Sequence, residues 1–325
     1  MHPPGTANPP SATTPSTWTL TDGHAGNVRQ AEALATALAL PHQPWTLEAR
    51  APWRWIAPRR LPGADNAFGE AFAATVAPSL AIGCGRQAAL ATRLLRARGA
   101  RAVQILDPRL APRHWDLVIA PEHDQLRGAN VIPTIGSLHP VDDLWLAAAR
   151  QAFASFGALP APRTALLLGG ASAHARFDDA LYDAVLRDVS RHVTEEGGCV
   201  LATASRRTPA AVRARMRERF RGVPGVIWTE PADGANPYAG LLAWADRIVC
   251  TADSVNMLSE ASATLVPVYV AGYAHVGGRP RHFLDTLLRM GRVRPFEPEL
   301  LEAFAVTPLR ETTRVAAEVR QRLSL

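Results

Sequence analysis

The chain has 325 residues, 47% of them hydrophobic, which is enough for two cores of ordinary size. Its formal net charge is +6 and it contains no lysine, so arginine supplies all the fixed positive charge. No apolar run approaches the length of a bilayer-spanning helix, and the arginines are scattered rather than striped, so neither a membrane span nor a nucleic-acid interface is expected.

Guanidinium groups pair bidentately with phosphate and carboxylate. An anionic ligand or an anionic membrane surface is therefore a possible partner, although abundant alanine and arginine together also fit compositional drift. Cys84, Cys199 and Cys250 lie far apart in apolar contexts. That pattern suggests buried thiols in a reducing compartment, with neither a disulfide framework nor a zinc site.

In chain order, residues 1–16 are rich in Pro, Thr and Ser and are expected to be disordered. They carry no arginine and no apolar stretch of the secretory kind. Trp18 to Thr21 reads as a strand, and Asp22-Gly23-His24-Ala25-Gly26-Asn27 as a turn. A helix is predicted from about Val28 to Leu40, with Ala31, Leu34, Ala35 and Leu38 on its apolar face. The two glycines lack the spacing of a dinucleotide fingerprint. The turn either holds a phosphate or hydroxyl of an acceptor, or Asp22 caps the helix and the glycines only make the bend.

From His42 to Ala77 the pattern is irregular, with Trp45, Trp53 and Trp55 and the pair Arg59-Arg60. These form either an aromatic and basic surface patch or, as favoured here, a loop whose tryptophans cover the sheet. Ser79 to Gly83 is a strand, Gly83-Cys84-Gly85-Arg86 a second glycine turn, and Gln87 to Arg98 a helix. Further short strands are predicted at Val103 to Leu106 and Leu117 to Ala120. Such alternation implies parallel βα units. A helix over Val141 to Phe156 precedes Leu159-Pro160-Ala161-Pro162, where the domain boundary is placed near Ala158 to Arg163.

The same architecture then restarts. Thr164 to Leu168 is a strand and Gly169-Gly170-Ala171-Ser172 a small-residue turn, followed by a helix from Asp178 to Thr194. Cys199 to Thr203 leads into Ser205-Arg206-Arg207-Thr208-Pro209, where Thr208 is expected as N-cap and Pro209 at the first helical position. Two arginines between a strand end and a helix start suit an anion; the alternative is that both pair with surface acids. Asn236-Pro237-Tyr238 opens a helix ending near Ala243. Arg247 to Cys250, Thr251-Ala252-Asp253-Ser254, Val255 to Ala263 and Val268 to Ala271 parse as strand, loop, helix, strand. On that helix Asn256 and Glu260 are four apart and share a face. A carboxylate there either accepts hydrogen bonds from a ribose or sugar diol or is a plain surface acid, with Ser254 only a cap. Residues 272–279 form a flexible loop, and Arg281 to Met290 and Leu309 to Leu323 are helical.

The pattern from Ala245 to Val270 resembles the nucleotide-sugar half of GT-B glycosyltransferases, especially the bacterial lipid-linked GlcNAc transferases. The whole chain is similar to the mitochondrial-fission-protein-like family, a plant mitochondrial fission factor and its bacterial relatives. The residues that carry this are Leu20 to Gly23, Gly26-Asn27, Gln30, Gly169-Gly170, Ser205 to Pro209, Asn236 to Tyr238 and Thr251 to Ser254.

The resemblance implies an α/β fold of two Rossmann-like domains facing across a cleft. An acceptor-side domain would cover residues 17–158 and a nucleotide-sugar domain 159–307, with a C-terminal helix over 308–325 returning to the first domain. It further implies a nucleoside diphosphate sugar as substrate, with no cofactor and no metal. Gly169, Gly170, Ser205, Arg206, Arg207, Asp253 and Ser254 would lie around the diphosphate, Tyr238 beside the base, and Asn256 and Glu260 near the ribose. Gly23, Gly26 and Asn27 would form the acceptor-side loop, with Asp22 and His24 as catalytic candidates. A histidine in that loop suits deprotonating a sugar hydroxyl, yet it has no carboxylate partner evident in the sequence. Ala252-Asp253 stand where many transferases have a serine-glycine pair, and a carboxylate beside a diphosphate is repulsive unless Asp253 points away or binds a cation. Two other functions stay open: a catalytically silent scaffold that recruits a protein partner, and a nucleotide-sugar epimerase. The expected location is the cytoplasm, with peripheral contact at the inner membrane left open.

Overall fold

The computed structural model describes residues 17–297 and 301–325. The tail 1–16, expected to be disordered, lies outside the described residues. The chain divides into two compact units. The first comprises residues up to Ile119 with Arg127–Ile132 and Ala316–Leu325; the second comprises Ala120–Leu126 and Pro133–Val315.

The first sheet has strands β1 (Thr17–Thr21), β2 (His42–Thr46), β3 (Leu80–Cys84), β4 (Arg101–Ile105), β5 (Leu117–Pro121) and β6 (Val131–Thr134). Their order is β2-β1-β3-β4-β5-β6, and β2 to β5 pair in parallel through β1, β3 and β4. Strands β1, β3 and β5 are buried along their whole length, as sheets covered on both faces require. Helices α1 (Ala25–Ala37), α2 (Trp53–Ile56), α3 (Glu70–Ala74) and α4 (Arg86–Ala97) belong to this half. Trp18, Leu20, Phe72, Leu90 and Leu94 share one core. Trp45 and Trp53 pack against it, as expected of tryptophans that cover the sheet, whereas Trp55 is 65% exposed. Strands β2 and β6 escape sequence reading because Pro44 and Pro133 interrupt them and neither has an apolar run.

Helix α5 (Asp143–Ala152) follows, and then the second sheet: β7 (Arg163–Leu168), β8 (Cys199–Ala204), β9 (Gly225–Trp228), β10 (Arg247–Thr251), β11 (Val268–Ala271) and β12 (Arg294–Pro295). It is parallel throughout, in the order β12-β11-β10-β7-β8-β9. Its helices are α6 (Asp179–Glu195), α7 (Ala210–Arg219), α8 (Tyr238–Trp244), α9 (Val255–Ser262), α10 (Gly278–Arg289) and the start of α11 (Glu311–Leu323). The three cysteines are buried and unpaired.

The changeover between units falls earlier than the 158–163 expectation. Leu146 and Ala149 of α5 share a core with Leu241 and Leu242 of α8, and Arg150 donates to the Ala243 carbonyl at 2.8 Å. The proline-rich interruption is thus a turn inside the second unit. Residues of α11 beyond Val315 count with the first unit, where Arg320 donates to the Ala37 carbonyl and Arg322 to that of Ala129, both at 2.9 Å.

Sheet order locates the place in each unit where a ligand is expected. In doubly wound sheets the crevice opens at the carboxyl ends of the two strands where the winding direction reverses. That point is β1/β3 in the first sheet and β7/β10 in the second.

Candidate functional site

In the first unit the turn after β1 meets the turn after β3. Asp22 accepts hydrogen bonds from Asn27 Nδ2 at 2.9 Å and from the His24 backbone N–H at 3.2 Å. The His24 ring Nδ1 is 3.0 Å from Asp22 Oδ1, and the ring is 77% exposed. Burial pushes Asp22 upward, but the bonds from Asn27 and His24 and the charge of His24 outweigh it and hold the carboxyl below its ordinary range. The carboxylate partner of His24 therefore lies two residues earlier. Asp22 does not cap the helix through its side chain; α1 begins at Ala25 with His24 in the N-cap position.

Gly23 sits at φ +77° and Gly85 at φ +94°, conformations that favour glycine. A Cβ on Gly85 would stand 2.7 Å from Asn27 Nδ2. Asn27 also accepts from the Cys84 thiol at 3.6 Å, and burial drives that thiol far above its ordinary value, so Cys84 is inert. Gly26 lies in the first turn of α1 and takes part only through its carbonyl, which accepts from Gln30 at 3.3 Å. Gly85 and Cys84 join the group from the second glycine turn at a strand end, a position from which the sequence already suggested they could line the site.

In the second unit three strand-end loops converge on Asp253. Its carboxylate accepts from Thr251 Oγ1 at 2.7 Å, from the Gly170 N–H at 3.1 Å and from Arg207 Nη2 at 2.6 Å. The Asp253 side chain is 0% exposed and that of Arg207 is 45% exposed. Burial is the largest influence on Asp253 and raises its pKa, against the opposing pull of Thr251, Arg207 and Gly170. Gly169 donates to Thr251 Oγ1 at 2.7 Å, and a Cβ there would fall inside the Asp253 carboxylate; one on Gly170 would collide with the Arg207 carbonyl.

Thr208 corrects the sequence reading. Pro209 occupies the N-cap of α7, while the Thr208 hydroxyl lies 3.0 Å from the Leu168 carbonyl and 2.7 Å from that of Gly169, as a donor to them. Ser205 ties the same turn, its N–H donating to the Leu168 carbonyl at 2.8 Å and its hydroxyl accepting from the Arg207 N–H at 3.2 Å. Arg206 is exposed, and among the described residues its side chain has no ion pair or hydrogen bond. Thr251, Thr208 and Tyr182, whose hydroxyl donates to the Gly169 carbonyl at 3.4 Å, complete the corner. Sequence reading missed the roles of Thr208 and Tyr182, and the Thr251 contact with Gly169, because each joins residues 13 or more positions apart.

Ser254 caps α9, accepting from the Met257 N–H at 3.3 Å. Two turns on, Glu260 is only 2% exposed and accepts from the Tyr238 hydroxyl at 2.6 Å. Tyr238 thus meets the carboxylate expected at the ribose, and Glu260 is a buried group rather than an open one. Asn256 is half-buried on the same face. Asp253 and Glu260 both lie within electrostatic reach of Cys250, whose thiol burial chiefly, and these charges secondarily, push well above its ordinary value. The carboxyl end of α9 is closed by Arg292, buried itself, which donates to the carbonyls of Ser262 at 2.7 Å, Thr264 at 2.9 Å and Ala261 at 3.1 Å. Among the described residues no cluster of metal-ligating side chains occurs, and no helix is long and apolar enough to cross a membrane.

The profile of the Mitochondrial fission ELM1 family matches residues 25–323. The mitochondrial fission protein ELM1 of Arabidopsis thaliana is 33% identical over 279 residues, which are 76% of this chain and 64% of the plant protein. The chain thus spans less than two thirds of that relative. Among solved structures, a UDP-GlcNAc 2-epimerase of Methanocaldococcus jannaschii superposes with a TM-score of 0.59 at 10% identity, covering 95% of this chain and 99% of that one. The Neisseria meningitidis UDP-GlcNAc 2-epimerase bound to UDP-GlcNAc gives 0.52 at 12% identity, covering 95% and 91%. At such identities the likeness is one of fold: an α/β, GT-B-like architecture of two parallel-sheet units.

Proposed function

The chain belongs to the mitochondrial fission ELM1 family, and from that premise we propose that its second unit binds a nucleoside diphosphate sugar and that the protein is a metal-independent glycosyltransferase. The observation that carries this reading is the β7/β10 corner. The turns after β7 and β8 and the capped start of α9 gather at the winding reversal of one sheet, with Asp253 held by Gly170 and Arg207 and with Arg206 exposed beside them, where anionic ligands bind in such folds. Arginine and helix-end amides can carry leaving-group charge without a metal. On the acceptor side, Asp22 holds His24 with Nδ1 engaged, which leaves Nε2 as the atom to take a proton from a hydroxyl. The fold neighbours, which include a UDP-GlcNAc complex, support the ligand class.

A second reading has its own support. The plant relative is named for mitochondrial fission, and a scaffold that recruits a partner would keep the fold while Glu260 stays closed against Tyr238. Isothermal titration with UDP-, GDP-, CMP- and dTDP-sugars separates the two. Saturable binding to one nucleotide class supports the transferase, and silence across the panel at millimolar ligand supports the scaffold.

A further inference from the structure

Resting on that reading of the second unit, we propose that Asp253, rather than a ligand phosphate, is the anion held by the diglycine turn and Arg207, so that Arg206 is the residue that meets the ligand's anionic group. The sequence offers Gly169-Gly170 and both arginines as equivalent phosphate contacts. Geometry separates them. The Asp253 carboxylate is fully buried and takes the Gly170 N–H, the Thr251 hydroxyl and one Arg207 nitrogen. Gly169 has no room for a Cβ because that carboxylate fills the space. The diglycine is therefore a socket for a protein side chain. A second anion using the same donors would stand against a buried like charge, which is unfavourable in a low-dielectric setting.

Asp253 and Arg207 neutralise one another. The Arg207 backbone is pinned by the approach of its carbonyl to Gly170 and by its N–H to Ser205 Oγ at 3.2 Å. Arg206, immediately before it, is left exposed and without an ion pair among the described residues. It is the uncompensated cation of the turn, and a bidentate guanidinium is suited to a phosphate group.

Inorganic pyrophosphate and UDP, titrated at fixed ionic strength alongside thermal melting, test this assignment. R206A is expected to melt like the wild type and to bind pyrophosphate about tenfold or more weakly. R207A is expected to melt several degrees lower, because Asp253 loses its partner while buried. R207A/D253N, which removes the orphaned charge, regains most of that loss and binds pyrophosphate within about threefold of the wild type. Should R207A fail to fold, the double variant carries the comparison. Wild-type affinity in R206A, loss of binding in the double variant, or no pyrophosphate binding by the wild type overturns the assignment. Pyrophosphate binding that depends on Arg206, without any nucleotide-sugar binding, would sink the nucleotide-sugar reading and leave this one standing.

Discussion

The imidazole Nδ1 of His24 lies 3.0 Å from Oδ1 of Asp22, the same oxygen that Asn27 binds at 2.9 Å. The carboxylate is thereby fixed from one side and orients the ring from the other. On the transferase reading, H24A should lower the rate of sugar transfer by about 10²- to 10⁴-fold, the usual worth of a general base. D22N should lower it by less. Nucleotide affinity, which belongs to the second unit, should not change in either variant. Paired measurements of kcat and nucleotide Kd check this; an H24A enzyme with undiminished kcat removes histidine from the mechanism.

Asp22 and Asp253 should impose opposite pH dependences on stability. Burial raises Asp253 above the ordinary 3.8 despite Thr251, Arg207 and Gly170. The folded protein then keeps a proton that the unfolded chain has released, so this group's contribution declines as pH rises from 3.8 through the folded value and is level above it. Asp22 lies below 3.8, because Asn27 and His24 overcome its burial. Its contribution is present above 3.8 and is lost as pH falls through the folded value. Melting curves from about pH 2.5 to about pH 6 should show D253N removing the first slope and D22N the second. A D253N protein that retains the wild-type slope above 3.8 would contradict the buried, ionisable role of Asp253.

Gly169 is predicted to tolerate no side chain. G169A places a methyl group inside the Asp253 carboxylate, which must shift and loosen its bonds to Thr251, Gly170 and Arg207. The expected cost is about 2–4 kcal/mol, from overpacking together with strained buried hydrogen bonds. Adding D253G should recover part of it by emptying the socket. Urea unfolding of the three proteins gives the answer, and a G169A variant as stable as the wild type would mean the turn is looser than its packing indicates.

Arg292 is the chief clamp on α9, donating to the Ser262, Ala261 and Thr264 carbonyls from a site only 2% exposed. A helix leaves its last carbonyls without intrahelical donors, and here the guanidinium fork joins Leu309 and Thr264 in supplying them. R292M, similar in length and apolar, should cost about 3 kcal/mol through the lost charged hydrogen bonds, chiefly the one to the buried Thr264 carbonyl, since Ser262 keeps the Leu309 N–H and Ala261 keeps Thr264 as donors. R292K should recover little, since one ammonium cannot reach the same set of acceptors. Chemical denaturation checks both, and full recovery by lysine would show that charge rather than the fork matters.

Much of the fold was legible in the chain. β-branched and apolar runs such as Ala165 to Leu168 and Ile248 to Cys250 are buried on both faces, and their alternation with amphipathic helices allows little but parallel βα units. Short or proline-broken strands such as β2, β6 and β12 were not legible, since neighbours in the sheet decide whether they pair at all.

The sequence by itself determined the two-sheet α/β class, the glycine turns at strand ends, the Ser254 cap and the family, because these depend on local periodicity, backbone permissiveness and short motifs. Tertiary structure alone decided that Asp253 lies beneath Gly169 and against Arg207, that Glu260 closes on Tyr238, and that α5 sits with the later unit. Those relationships join residues between 22 and more than 80 positions apart. Their energies come from burial and from matching donors to acceptors in three dimensions, which spacing along a chain does not encode.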